Sequence, residues 1–139
     1  MFRNRKTLLQ YRAYRSSNTR EFCPFCNPTN EQVLKAHTHF NIIVNWFKYD
    51  VWDDSHVEEQ YMIVPKRHVC SFSEFTEEEK KEHMKLVTEY EAKGFSIYTR
   101  GANVITRSVG HHHTHVIRTS GKLLNAYLYI KKPYLMLHS

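Results

Sequence analysis

The chain has 139 residues, of which 41% are hydrophobic and 24% are charged, and this composition predicts one compact globular domain. Its formal net charge of +6 favours anionic partners such as nucleotides or nucleic acid. The sequence has neither an apolar run of membrane-spanning length nor the apolar centre of a secretory signal, so no membrane association and a cytoplasmic location are expected.

Residues 1–20 make up a basic segment without an acidic residue. Its positive charges are Arg3, Arg5, Lys6, Arg12, Arg15 and Arg20. The stretch from Leu8 to Tyr14 is suited to one or two helical turns, and the segment as a whole is predicted to be an arm preceding the domain. Its charge either serves solubility or lets the protein follow a nucleic-acid backbone.

Cys23 and Cys26 have the C-x-x-C spacing that lets two thiolates bind one ion. Pro28 and polar residues follow the pair, whereas a thioredoxin-like redox pair normally begins a helix. The pair therefore favours half of a zinc site with histidines as the missing ligands, over a redox dithiol or a chance pairing. The third cysteine, Cys70, is expected to be a small buried residue.

Residues 40–47 are β-branched and aromatic, which predicts a strand. Residues 49–59 are polar and acidic, and we expect a solvated loop there rather than a cation site. Residues 60–64 predict a short second strand that ends at Pro65.

The clearest helical pattern covers residues 73–94. Thr76 and Glu79 have the spacing of a capping box, and Gly94 is a natural stop.

The remaining strands are predicted at residues 95–100, 111–118, 123–130 and 134–139, with a loop at 101–110 and a turn at Gly121. Together these elements predict an α+β fold in which a mostly antiparallel sheet packs with one main helix. Residues 21–120 are predicted to form the domain, and residues 121–139 a β-hairpin that extends it.

Three histidines alternate along one predicted strand, at His111, His113 and His115. Because alternate residues of a strand share a face, their rings are expected to point one way, and those of His112 and Thr114 the other way. A neutral imidazole can attack phosphorus while a protonated one donates, which divides nucleotidyl transfer into two steps. A solvated polar edge and an adventitious metal cluster are the alternatives.

Three segments resemble one family. SVGHHHTHVI (108–117) is similar to the H-φ-H-φ-H-φ-φ motif of the histidine-triad (HIT) family, where φ is usually apolar. IVPKRHV (63–69) is similar to that family's strand-ending V-P-K-x-H segment, and CPFC (23–26) to the cysteine pair of its zinc-bearing members. The resemblance implies a zinc-stabilised HIT-like sheet and a nucleotide hydrolase or nucleotidyl transferase.

The resemblance also implies roles for single residues. His113 falls on the nucleophile toward the α-phosphorus, and His115 on the residue that contacts the phosphate and assists protonation of the leaving group. Ser108 falls on a residue that bonds the substrate near the scissile link. Asn45 either lies near the nucleotide sugar or is a simple strand-end residue. The charge of Arg107, beside Ser108, is expected to hold phosphate oxygens.

The zinc ligands implied by the resemblance are Cys23, Cys26, His68 and His111, which together make a closed structural site. The implied substrate is a dinucleoside polyphosphate or a nucleoside phosphoramidate, and the implied assembly is a homodimer. A triad enzyme that processes nucleic-acid ends and a non-catalytic zinc-held nucleotide-binding domain are the alternative interpretations.

The chain departs from the family pattern at several positions. Gln60 stands where an accessory histidine is common, Arg100 where an asparagine is frequent, and Arg107 where a glutamine is frequent. His112 and Thr114 occupy normally apolar positions, so that side of the strand is expected to be more polar than usual.

Aromatic residues follow the first predicted strand, at Trp46, Tyr49 and Trp52. They either stack on a base or belong to the core, and the core is favoured slightly for Trp46.

Overall fold

The computed structural model describes residues 2–17, 23–129 and 134–137. In chain order the elements are α1 (Arg5–Ser17), β1 (Val33–Ala36), β2 (Phe40–Val44), β3 (Val51–Trp52), β4 (Ser55–Pro65), a 3-10 turn (Phe72–Glu74), α2 (Glu77–Glu91), β5 (Ser96–Thr99), β6 (Thr114–Leu123), β7 (Ala126–Tyr129) and β8 (Tyr134–Leu137). The predicted α+β class is confirmed. Arg20 and the predicted boundary between residues 20 and 21 lie outside the described residues, and so do the ends of the last two predicted strands, at 130 and 138–139.

Six strands form one antiparallel sheet in the order β1-β2-β4-β6-β5, with β3 paired to β4. Helix α2 covers one face, over a core that includes Ile42, Leu86 and Val116. Because side chains alternate along a strand, Ile43 and Met62 lie on the opposite face. There they pack with the segment that contains Cys23 and Phe25, called the cysteine segment below. Strands β7 and β8 form a separate hairpin.

The prediction of a loop at residues 49–59 is wrong, because a tight hairpin joins β3 to β4 there. Asp53 and Asp54 have φ values of 44° and 52°, the left-handed conformation that two-residue hairpin turns require. From Ser55 to Glu58, buried and exposed residues alternate, and the pairing with β6 shifts its register between Val57 and Glu59. Strand β4 is consequently much longer than the short strand predicted at 60–64.

Strand β6 begins three residues later than predicted and continues further. Ladder pairing with β4 stops at Thr114, opposite Ile63, and Pro65 has no N–H to extend it. The N–H of His112 donates instead to the carbonyl of Val69 (2.6 Å). Gly121, predicted as a turn, lies inside β6 with φ of 69°, near a shift in register.

Helix α2 begins directly after Thr76, and the predicted capping box is present. The Glu79 N–H donates to Oγ1 of Thr76, and the Thr76 N–H donates to Oε2 of Glu79. The buried Glu79 carboxylate also binds Arg67. These contacts fix the start of the helix that covers the core face of the sheet.

The substitution Thr76→Ala should lower the free energy of unfolding by about 1 kcal/mol, because it removes the acceptor for the Glu79 N–H. Urea denaturation measures this. The matched control is Thr88→Ala, at an exposed position of the same helix, which should change stability by less than about 0.5 kcal/mol. Equal effects of the two substitutions would contradict the role of the cap.

Candidate active site and metal centre

A cavity of about 300 Å³ opens on the face of the sheet opposite α2. His113 and His115 line it, and their ring centroids are 5.1 Å apart with the ring planes nearly perpendicular. Both residues are buried. The cavity lies at the small end of the range for ligand sites in proteins.

Hydrogen bonds fix a different tautomer for each of the two rings. Nδ1 of His113 donates to the carbonyl of His111 (2.9 Å), so Nε2 of His113 keeps its lone pair. Oε1 of Gln60 accepts from the Tyr49 N–H (2.7 Å), which turns the Gln60 amide nitrogen toward Nδ1 of His115 (3.1 Å). Nδ1 of His115 is therefore an acceptor, and the proton of that ring lies on Nε2.

Burial keeps both rings uncharged at neutral pH. It is the main cause that lowers the pKa of His113, with further contributions from the charges of Arg107 and Arg100. Burial also lowers the pKa of His115 to about 3, helped by the neighbouring His113 and by Arg3. The cavity thus offers one imidazole lone pair beside one imidazole N–H.

The remaining cavity wall is cationic and aromatic. Arg3 and Arg100 supply its positive charge, and no carboxylate side chain lines the cavity within the described part of the chain. Six aromatic rings line it: Tyr11, Tyr14, Phe25, Trp46, Phe47 and Tyr49. Such a surface suits an anionic ligand that carries a planar ring.

Four side chains converge next to the cavity in an arrangement able to bind a metal ion. The ligand atoms of Cys23, Cys26, His68 and His111 lie within 4.8 Å of one another. Sγ of Cys26 is 3.1 Å from Nδ1 of His68, and Sγ of Cys23 is 3.4 Å from Nδ1 of His111. The four residues predicted from the sequence are thus brought together.

One further observation favours a cation between these groups. Nε2 of the buried His111 donates to the carbonyl of Pro65 (2.9 Å), which leaves Nδ1 bare and directed at the thiols, as in metal-bound histidines.

Comparison with solved structures identifies the architecture. A member of the HIT family from Bacillus subtilis superposes with a TM-score of 0.56 over 73% of this chain and 76% of its own, at 22% identity. A HIT family hydrolase from Clostridium thermocellum gives a TM-score of 0.52 over 70% of this chain and 90% of its own, at 17% identity. A third, from Legionella pneumophila, gives 0.50 over 73% and 94%, at 13% identity.

The chain has the histidine-triad fold. At the level of sequence, no protein-family model and no curated protein matches it. The fold is therefore shared at sequence identities where function does not follow from the likeness alone.

Besides the histidines, three residues are predicted to contact the substrate, and two of them, Ser108 and Asn45, line the cavity. Arg107, for which a phosphate contact is also predicted, does not line the cavity. Its guanidinium donates to the carbonyls of Cys70, Val109 and Gly110, at 2.7, 3.0 and 2.8 Å. All three of its nitrogens are thus used to hold the loop before the triad.

The unusual polarity behind the triad has a structural reason. His112 and Thr114 face α2, where Nε2 of His83 lies 3.0 Å from Oγ1 of Thr114. The ring of His112 packs on Phe72 and Phe75, with centroids 4.3 and 5.2 Å away. These polar groups are therefore enclosed by aromatic rings and bonded to one another rather than solvated.

The prediction of a basic arm at residues 1–20 did not include contacts with the rest of the chain, and the described part of this segment makes such contacts. Residues 2–17 dock beside the cavity through Arg3 and through Tyr11 and Tyr14, which pack on Phe47 with centroids 5.6 and 5.1 Å away. Helical spacing at Tyr11 and Tyr14 was the available signal, since residues three apart share a helix face.

Trp46, predicted as core, is half exposed at the cavity rim. Tyr49 is buried.

Within the described part of the chain, neither helix has the length and apolar character needed to cross a membrane.

The buried His83 should make stability depend on pH. Burial lowers its pKa to about 4 in the folded chain, against roughly 6.5 when unfolded, so the unfolded state binds the extra proton. The free energy of unfolding should therefore be retained above pH 6.5 and should fall between pH 6.5 and 4. The decrease in the free energy of unfolding that is due to His83 is on the order of 2 kcal/mol between pH 7 and 5.

Urea denaturation at the two pH values should show a smaller loss in His83→Gln than in the parent chain. The matched control is His56→Gln, at an exposed position of β4, which should leave the pH dependence unchanged. An unchanged slope in His83→Gln would show that His83 is not the group responsible.

Proposed function

We propose that the chain is a nucleotide hydrolase or nucleotidyl transferase that acts at the α-phosphorus of a nucleoside phosphate derivative. The observation that carries this proposal is the bond from Nδ1 of His113 to the His111 carbonyl. It leaves a neutral Nε2 lone pair in a cavity with two arginines and an aromatic wall. A nucleophile beside fixed cations is the arrangement that substitution at phosphorus requires.

In the first step, Nε2 of His113 attacks the α-phosphorus, and the bond from phosphorus to the leaving group breaks. The imidazole becomes a nucleotidyl imidazolium, whose Nδ1–H is already bonded to the His111 carbonyl. That carbonyl stabilises the new positive charge. In the second step, water or another acceptor attacks phosphorus, the P–N bond breaks, the electron pair returns to Nε2, and the proton of the acceptor passes to solvent.

His115 acts as a hydrogen-bond donor to the phosphate in this scheme. Its proton is on Nε2 because Gln60 donates to Nδ1, so loss of that proton would leave an unfavourable imidazolate. This modifies the role expected from the sequence, where His115 assists protonation of the leaving group. Gln60, which replaces the accessory histidine, is the positioning residue for this ring.

The other lining residues bind the substrate. The Ser108 hydroxyl is exposed at the cavity, where it bonds near the scissile link, and Asn45 serves the sugar. Arg100 provides charge at the phosphate, since its field acts on both His113 and His115. The base stacks on the aromatic wall. A homodimer, a nucleic-acid partner and a cytoplasmic location stay predictions.

We expect His113→Ala to lower turnover of nucleoside phosphate derivatives by at least about 1,000-fold, because it removes the nucleophile. A panel of labelled dinucleoside polyphosphates and nucleoside phosphoramidates measures turnover, and rapid acid quenching should trap label on the parent chain but not on the variant. His56→Ala is the matched control and should retain both.

Full turnover by His113→Ala would rule out this nucleophile. Binding of mononucleotides by the parent chain without turnover of any substrate in the panel would favour the non-catalytic alternative.

We also propose that the metal is zinc and that its role is structural. Two thiolates and two imidazoles make the donor set that zinc favours, and four protein ligands leave no position for a reacting water. The metal would join the cysteine segment to the ends of β4 and β6. It would also fix the main chain at His111, which holds the nucleophile.

The purified protein should contain one zinc ion per chain by elemental analysis, and a chelator should lower its melting temperature. Two neighbouring substitutions give a sharp comparison, since His111→Ala removes a ligand and His113→Ala does not. The first should lose zinc and the second should keep it. Equal zinc contents in the two variants would contradict the ligand assignment.

A further inference from the structure

We propose that Arg3 binds the phosphate that follows the α-phosphate of the substrate, so that the N-terminal segment supplies a second phosphate subsite. The inference rests on the proposed function and adds to it. It places a specificity-determining residue far in sequence from the triad. It also assigns a function to the N-terminal segment, whose charge alone indicates either solubility or nucleic-acid binding.

Arg3 is held between two anchored neighbours. The Phe2 N–H donates to the carbonyl of Val51 (2.9 Å), and the Asp50 N–H donates to the carbonyl of Phe2 (2.8 Å). On the other side, the backbone N–H and the side-chain amide of Asn4 donate to the two carboxylate oxygens of Asp50, each at 2.7 Å. The backbone of Arg3 is therefore fixed against the turn between β2 and β3.

The side chain of Arg3 is positioned as well. Its Nε donates to the carbonyl of Phe47 (2.7 Å), and its guanidinium carbon lies 4.6 Å from the ring centre of Tyr11 and 4.4 Å from that of Tyr49. Arg3 lines the cavity, and no described residue accepts a hydrogen bond from its Nη1 or Nη2. A guanidinium edge held in this way is suited to a phosphate.

Arg3 lies on the side of the cavity nearer to His115. The ring of Tyr49, on which Arg3 packs, also lies 5.8 Å from the ring of His115. The charges of both Arg3 and Arg100 contribute to lowering the pKa of His115, whereas Arg107 and Arg100 are the arginines that act on His113. A ligand phosphate that extends past His115 would therefore meet Arg3.

The tautomer of His115 favours the same substrate chemistry. Because its Nε2–H can form a hydrogen bond but is a poor source of a proton, the site suits a leaving group that departs as an anion. When the bond between the α-phosphorus and the bridging oxygen breaks, the electron pair stays on the oxygen of the departing phosphate. The guanidinium of Arg3 would balance that charge, whereas an amine leaving group would need a proton.

Equilibrium binding of nucleotides tests the subsite without requiring turnover. The probes are the common nucleoside monophosphates and their diphosphates, titrated in magnesium-free buffer into the parent chain and into Arg3→Met and Arg5→Met. Arg5 is the matched control because it is exposed in the same segment, does not line the cavity and carries the same charge. The parent chain and Arg5→Met should bind a diphosphate about 10- to 100-fold more tightly than its monophosphate.

Arg3→Met should abolish that preference while monophosphate affinity changes little. Similar affinities for both probes in the parent chain, or a preference that survives Arg3→Met, would overturn the proposal. A loss of both affinities in equal proportion would show that Arg3 only docks the helix, and would overturn it too. Nucleophilic attack by His113 is not tested by these measurements, so either proposal can fail while the other stands.

Discussion

The antiparallel register between β4 and β6 is the constraint on which both sites depend. It sets Met62 opposite His115 and Gln60 opposite Ile117, which brings the Gln60 amide to Nδ1 of the triad's last ring. A shift of one residue would turn every side chain of β6 to the other face. His112 and Thr114 would then enter the cavity, and both proposed catalytic rings would lie under α2. The aromatic shell around His112 opposes that shift, because it offers matched partners only in the observed register.

The metal centre and the cavity are coupled through one short piece of main chain. The ring of His111 faces the thiols and binds the carbonyl of Pro65, while its own carbonyl accepts the Nδ1–H of His113. These residues precede the regular part of β6, so ladder hydrogen bonds do not hold them. Arg107 holds the preceding loop, and Oγ1 of Thr99 donates to the His113 carbonyl (3.0 Å). A structural metal would therefore influence the orientation of His113, the proposed nucleophile, without touching the proposed substrate.

Features that depend on residues close together in the sequence could be predicted, and features that depend on contacts between distant segments could not. Three local patterns predict arrangements that the structure contains: the alternation of the triad, the capping box and the C-x-x-C pair. The hairpin at Asp53 and Asp54 was missed because its acidic composition concealed the alternation of Ser55 and Val57. The docking of the first residues is set by tertiary contacts with the loop after β2. The helical spacing of Tyr11 and Tyr14 indicates that they share a face, but no local pattern indicates what that face packs against.

Arg3 and Arg107 show why charge in a sequence does not identify a binding residue. Arg107 lies next to the triad, but three carbonyls of its own surroundings use its guanidinium. Arg3 is more than a hundred positions away along the chain, and it lines the cavity. Among the described residues, a single carbonyl accepts from its guanidinium, at Nε. A partly buried guanidinium donates to nearby carbonyls that lack another donor, and the fewer of its five N–H groups are used in this way, the more are left for a ligand. The local supply of unpaired carbonyls therefore decides which of these arginines can act on a phosphate, and closeness to the motif does not.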